Sequence, residues 1–145
     1  MTDEQAAAKD WLNRNKGRHD ELRAYNLKLE EMRGRASKLV SVPAENKVQT
    51  QPNPKHGEQT IIAALEFEEQ LKAKMEALEA SDMETVKTIE KLPSAKERTV
   101  LLYRYVCFKS WEYIARRMRY AVNYCQEIHL QALAHIAPLI DYTIT

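Results

Sequence analysis

The chain has 145 residues, 44% of them hydrophobic and 30% charged, with a formal net charge of +1. That balance fits a soluble chain of one or two small domains and excludes a disordered tail. No apolar run approaches the roughly 18 residues of a membrane span, and residues 1–10 are polar and acidic where a signal or transit peptide would be basic, so a location inside the cell is expected. Cys107 and Cys125 form no CxxC pair and read as reduced thiols of a cytoplasm. The three glycines, at 17, 34 and 57, are too scattered to cradle a phosphate, and the sequence reads as mostly helical.

Charge is unevenly spread. Residues 1–57 carry 11 basic and 8 acidic groups, residues 58–92 carry 4 and 9, and residues 93–145 carry 7 and 4. An acidic middle segment therefore precedes a basic C-terminal one, in which Arg116, Arg117 and Arg119 fall within four positions.

From the N-terminus, Leu22, Tyr25, Leu29, Met32, Ala36 and Leu39 alternate in steps of three and four, which predicts a coiled-coil face on a helix starting near Thr2. Pro43, Pro52 and Pro54, with Asn46, Gln49 and Gln51, break that periodicity, so residues 41–57 are expected to form a flexible loop. A second, weaker seam runs through Ile61, Ala64, Leu71, Met75, Leu78, Ile89 and Leu92, with Glu68, Asp82 and Thr85 on the same stripe. Ser81-Asp82 is a place for an interruption or kink. Pro93 ends the helix, because the residue before proline avoids helical angles. Each seam is too narrow to hold a helix in water unless it is buried, so the two helices pair within one chain, or each pairs with a copy in another chain. The expected architecture is all-α, with a long N-terminal helical hairpin or coiled coil over residues 1–92 and a separate unit over residues 93–145.

In the C-terminal unit, Ile114, Ala115 and Met118 mark the inner face of a short helix, and Cys125, Ile128, Ala132 and Ile136 mark that of a second. Only Arg119, Tyr120 and Ala121 lie between them, which predicts a helix-turn-helix, a double-stranded-DNA-binding motif. The second helix then turns Val122, Asn123, Gln126 and Glu127 toward a groove. Asn123 and Gln126 carry the paired donor and acceptor that match an adenine edge, Val122 can touch a thymine methyl, and Glu127 either accepts from cytosine N4 or pairs with an arginine. Arg116, Arg117 and Arg119 supply cations for phosphates, and Tyr120 is the tyrosine best placed to join them.

Trp111, three residues before Ile114, reads as a core anchor between the first two helices of the unit rather than a base-stacking platform. Tyr103, Tyr105, Tyr113 and Tyr124 read as inward-packed rings with wet hydroxyls. Cys125 and His129 share a helix face and His135 follows, but no second pair completes a four-ligand set, so no metal is expected. His19 and His56 are isolated and no nucleophile has an evident base, so neither catalysis nor a cofactor is expected.

Leu92-Pro93, Arg98, the run Ser-Trp-Glu-Tyr-Ile-Ala at 110–115, and Ala132-Leu133 together resemble the fourth region of bacterial sigma factors over about 45 residues. With the long N-terminal helix, the loop and the second helix, the whole chain resembles small phage and prophage regulators related to the RinA and ArpU late-gene activators. Arg119 stands where that family usually has glycine in the turn, Ala121 where a serine or threonine caps the recognition helix, and Asn123 and Glu127 at positions often basic. The resemblance implies a sequence-specific, DNA-binding transcription regulator that switches on phage late genes in a bacterial host cell, with its N-terminal helices forming a homo-oligomer or contacting host RNA polymerase. Two alternatives are the DNA-recognition (small) subunit of a phage packaging terminase, and a protein-binding module acting on RNA polymerase.

Overall fold

A computed structural model describes residues 1–41 and 54–143, and every regular element among them is a helix. The fold is all-α. Its helices are α1 (Asp3–Leu12), α2 (Lys16–Ser41), α3 (Pro54–Glu90), α4 (Ala95–Leu101), α5 (Trp111–Met118) and α6 (Val122–Ile136). A π-helical turn (Leu102–Val106) extends α4, and a 3-10 turn (Ala137–Leu139) follows α6. None of these helices is long and apolar enough to cross a membrane.

Contacts divide the chain into two compact units, one lying within Arg18–Ala77 and the other joining Met1–Gly17 to the chain from Leu78 onward. In the first, the two seams face each other within one chain. Leu29 of α2 and Ala64 and Leu71 of α3 are buried, and Tyr25 meets Phe67 edge-on with ring centres 6.0 Å apart. Lys74 lies over the Tyr25 ring, while Arg33 pairs with Glu68. Arg33 follows Tyr25 while Glu68 precedes Lys74, so the helices run antiparallel. Glu68 interrupts the apolar stripe only to meet a cation across it.

The second unit is built around α6. Its inner residues Cys125, Ile128, Ala132, Leu133 and Ile136 are buried, in two adjoining clusters. One holds Ala8, Trp11 and Leu12 of α1 with Ile89, Leu92 and Leu101; the other holds Val100 of α4 with Ile114 and Ala115 of α5. Serines start both short helices. Ser94 accepts from the Glu97 amide at 3.3 Å, and Ser110 from the Tyr113 amide at 3.2 Å, each satisfying an amide that the first turn leaves without a partner.

Four expectations change. The N-terminal helix is not continuous from Thr2, because residues 13–15 form a turn that separates α1 from α2. Thr2 and Gln5 cap α1 reciprocally, at 2.8 and 3.2 Å, and Gln5 Nε2 donates to the Leu130 carbonyl on α6 at 2.9 Å. Ser81-Asp82 does not interrupt α3. Of the loop expected over residues 41–57, Ser41 ends α2, while Pro54–Gly57 begin α3, where proline loses nothing by lacking an amide hydrogen; residues 42–53 lie outside the described residues. Finally, Pro93 ends α3 without ending a unit, since Ile89 and Leu92 sit in the same core as Leu101 and Leu133. A proline stops a helix, but it does not stop the side chains before it from packing with those after it.

The polar residues of α3 lock the α1–α2 turn. Asn15, only 3% exposed, donates from Nδ2 to Ser81 Oγ at 2.9 Å and to Asp82 Oδ1 at 3.1 Å. Arg14 donates to Thr85 Oγ1 at 2.8 Å and to the Ser81 carbonyl at 3.0 Å, with its guanidinium 3.8 Å above the Trp11 ring. Removing one partner leaves the other buried without a bond, at about 1–3 kcal/mol per group. Asn15→Ala is therefore expected to cost about 2–3 kcal/mol in urea unfolding followed by circular dichroism, and a loss under about 0.5 kcal/mol would show that the turn is held by apolar contacts alone.

Candidate nucleic-acid interface

Alpha-helical periodicity decides what α6 leaves in water. With Cys125, Ile128, His129, Ala132, Leu133 and Ile136 turned inward, Asn123, Gln126, Glu127 and Leu130 are exposed on the outer side. Val122 is half-buried against the cluster of Ile114 and Cys125, so only part of it is available. Arg116, Arg117 and Arg119 are exposed at the end of α5 and in the turn. Tyr120 is half-buried, packed edge-on against Tyr124 with ring centres 4.9 Å apart. The side chains expected to read bases and hold phosphates thus lie together around the turn and first two turns of α6, with Val122 and Tyr120 partly taken up by packing.

The turn is made under strain. Arg119 has φ 61° and ψ 43°, the left-handed region that favours glycine, and it closes α5 with its amide on the Ala115 carbonyl. Ala121 begins α6 in an extended conformation with no side-chain cap. Arginine here keeps a cation at the rim, at a backbone cost of roughly 1–2 kcal/mol.

Aromatic rings carry further cations beside this surface. Tyr103 and Tyr113 meet edge-on at 5.9 Å, Lys109 lies 4.8 Å over Tyr113, and the Tyr103 hydroxyl, followed by Tyr113, pushes the Arg117 guanidinium pKa up and keeps it charged. Arg104 stacks 4.8 Å over Trp111 and donates to the Lys109 carbonyl at 3.0 Å. On α4, Lys96 lies over both Tyr120 and Tyr124. The sequence reading placed cations only at 116–119 and missed these; the signal was present in the interleaving of basic and aromatic residues from Arg104 to Tyr113.

Beneath the surface, Trp111 is held edge-on to His129 with ring centres 4.9 Å apart. Its anchoring role therefore extends to α6. His129 is buried, and its Nε2 lies 2.6 Å from the Tyr105 hydroxyl, which the π-helical turn presents to it. Burial, then the charges of Lys9 and Arg104, lower the His129 pKa to about 4, while burial pushes Tyr105 up to about 12. Both rings are neutral near pH 7, so the hydroxyl donates to an imidazole nitrogen. Cys125 is buried among Val100, Ile114 and Ile128, and no group of three or more potential metal ligands occurs among the described residues. His135 instead pairs through Nδ1 with buried Glu97 at 2.5 Å.

Comparison with protein-family models, with curated proteins and with solved structures finds no match in any of the three.

Two outcomes follow from this geometry. Ala121→Ser is expected to raise stability by about 1 kcal/mol, and Arg119→Gly by roughly 1 kcal/mol, both read as urea midpoints. Neither increase appearing would mean that the turn relaxes its geometry in solution. His129 has its folded pKa depressed from 6.5 to about 4, so between those values the unfolded chain takes up a proton that the folded chain refuses. Stability is full above pH 6.5, falls as pH drops through that window by on the order of 2–3 kcal/mol, and levels off below about 4. His129→Gln should flatten that part of the profile. A variant profile as steep as the parent's would assign the loss to other groups.

Proposed function

We propose that this chain is a sequence-specific DNA-binding transcription regulator of phage or prophage genes, a late-gene activator working in the cytoplasm of a bacterial host. The observation that carries the reading is the exposed side of α6, where Asn123, Gln126 and Glu127 stand free of the core directly after a three-residue turn flanked by Arg116, Arg117 and Arg119. A helix-turn-helix works by this division of labour: cations at the rim bind phosphates and give affinity, and short polar groups on the second helix contact base edges and give specificity. In this reading Asn123 and Gln126 contact adenine edges, Glu127 accepts from a cytosine amine, and the strained Arg119 is retained for its charge. The resemblance to sigma-factor region 4 and to the late-gene activators supports the same assignment.

A second reading, a protein-binding module acting on RNA polymerase, is favoured by Leu27 of α2 and Ile62 and Leu65 of α3, which are 68%, 52% and 58% exposed. Under the first reading that surface serves self-association or polymerase contact while α6 holds DNA.

The deciding experiment is binding of the purified protein to fragments of its own genome at two salt concentrations, against unrelated DNA of equal length. On the fragment retained at higher salt, Gln126→Ala should weaken binding selectively by roughly 1–3 kcal/mol. Arg117→Ala should weaken binding to every duplex and lower the salt slope by about one. Equal losses on all sequences for both variants would remove the base-reading role, and no preference at either salt would move the assignment to a protein partner.

A further inference from the structure

An open groove of about 630 Å³ lies between the Pro93 turn and α6, lined by Lys96, Tyr124, Gln131 and His135 among others. The carboxylate lining it, Glu97, is 5% exposed and already engaged by His135. Lys96 differs from an ordinary surface lysine in being held. Its ammonium lies 5.4 Å from the Tyr120 ring centre and 5.7 Å from that of Tyr124, within 3.4 Å of the Tyr124 hydroxyl. The hydrogen bond to the Tyr124 hydroxyl pushes its pKa up, so it remains a cation across the physiological range. Lysine ordinarily loses rotamer entropy when it is fixed, and here two rings already hold it. No carboxylate forms an ion pair with it among the described residues.

The position of this cation matters. Tyr124 follows Asn123 directly on α6, so Lys96, held on Tyr124, stands beside the outer face of the helix on its α4 side. A helix lying in a major groove has a phosphate backbone on each side, and register is fixed by gripping both. We infer that Lys96, seated on Tyr120 and Tyr124, binds the phosphodiester backbone of DNA on the α4 flank of α6. This rests on the DNA-binding reading above. It also gives Tyr120 a role different from the direct phosphate contact expected of it: its ring aims the lysine. Lys96 is a binding residue for the backbone and does not discriminate bases.

The test is fluorescence anisotropy of labelled duplexes, the best-bound genomic fragment and an unrelated sequence, titrated over a series of salt concentrations with the full chain and with Lys96→Gln and Lys96→Arg. Lys96→Gln is expected to lose about three- to tenfold in affinity on both duplexes alike and to lower the slope of log K against log salt by about one. Lys96→Arg, which keeps the charge and can stack on the same rings, should retain the parent slope and controls for any effect of Gln on folding. If the parent binds DNA and Lys96→Gln matches it in affinity and slope, the inference is overturned and the DNA-binding reading stands. If the parent binds no duplex at low salt, the DNA-binding reading fails and takes this inference with it.

Discussion

The inner side of α6 cannot be left in water. Cys125, Ile128, Ala132, Leu133 and Ile136 are all buried, and each large side chain among them contributes about 1.5–3 kcal/mol by leaving solvent. A stripe this broad is covered from several directions at once, by α1, by the end of α3, by α4 and by α5. No single neighbouring helix can do so, and this accounts for the first residues of the chain being gathered into the same unit as the last. It also accounts for the outer side being left open, because the elements that cover the inner side are spent there. The surface formed by Asn123, Gln126 and Glu127 is thus a by-product of where the apolar residues fall.

Among the described residues six polar side chains are buried in this unit, and two of them, His129 and Asn15, anchor directional networks. His129 interrupts the apolar stripe of α6, and its cost of burial is met by the Tyr105 hydroxyl and by two aromatic faces. Asn15, in the turn between α1 and α2, is satisfied by Ser81 and Asp82. A hydrophobic contact at either place tolerates sliding by a fraction of a helical turn, whereas a pair of directional bonds does not. The two networks fix register, one between the π-helical turn and α6, the other between the α1–α2 turn and α3.

Much of this was legible in the sequence. The stripe of α6, the inner face of α5 and the facing seams of the hairpin follow from spacings of three and four, because those residues must share a side of a helix. The outward position of Asn123, Gln126 and Glu127 follows from the same arithmetic. What could not be read was set by partners distant in sequence. No glycine or proline occurs at residues 13–15, and the turn there is held by α3 side chains some 66 or 67 positions away. Pro93 looked like a boundary because local rules describe backbone and not the packing of Ile89 and Leu92 beyond it. Lys96 is 28 residues from Tyr124, and only the packing of α4 on α6 brings them together.

The bond from Gln5 to the Leu130 carbonyl spans 125 positions, and this has a consequence for the order of events when the chain is made. Closing so wide a loop costs entropy that grows as the logarithm of its length, about 0.6 kcal/mol for each doubling. The helices of the hairpin lie nearer one another and can pair as soon as both have left the ribosome. Helix α1 meets the end of α3 through Ile89 and Leu92, but Ala8, Trp11 and Leu12 gain their remaining cover only when α6 follows. Since α1 precedes α6 in the chain, a nascent chain stalled short of α6 leaves that apolar face incompletely covered and open to any chaperone or sister chain within reach.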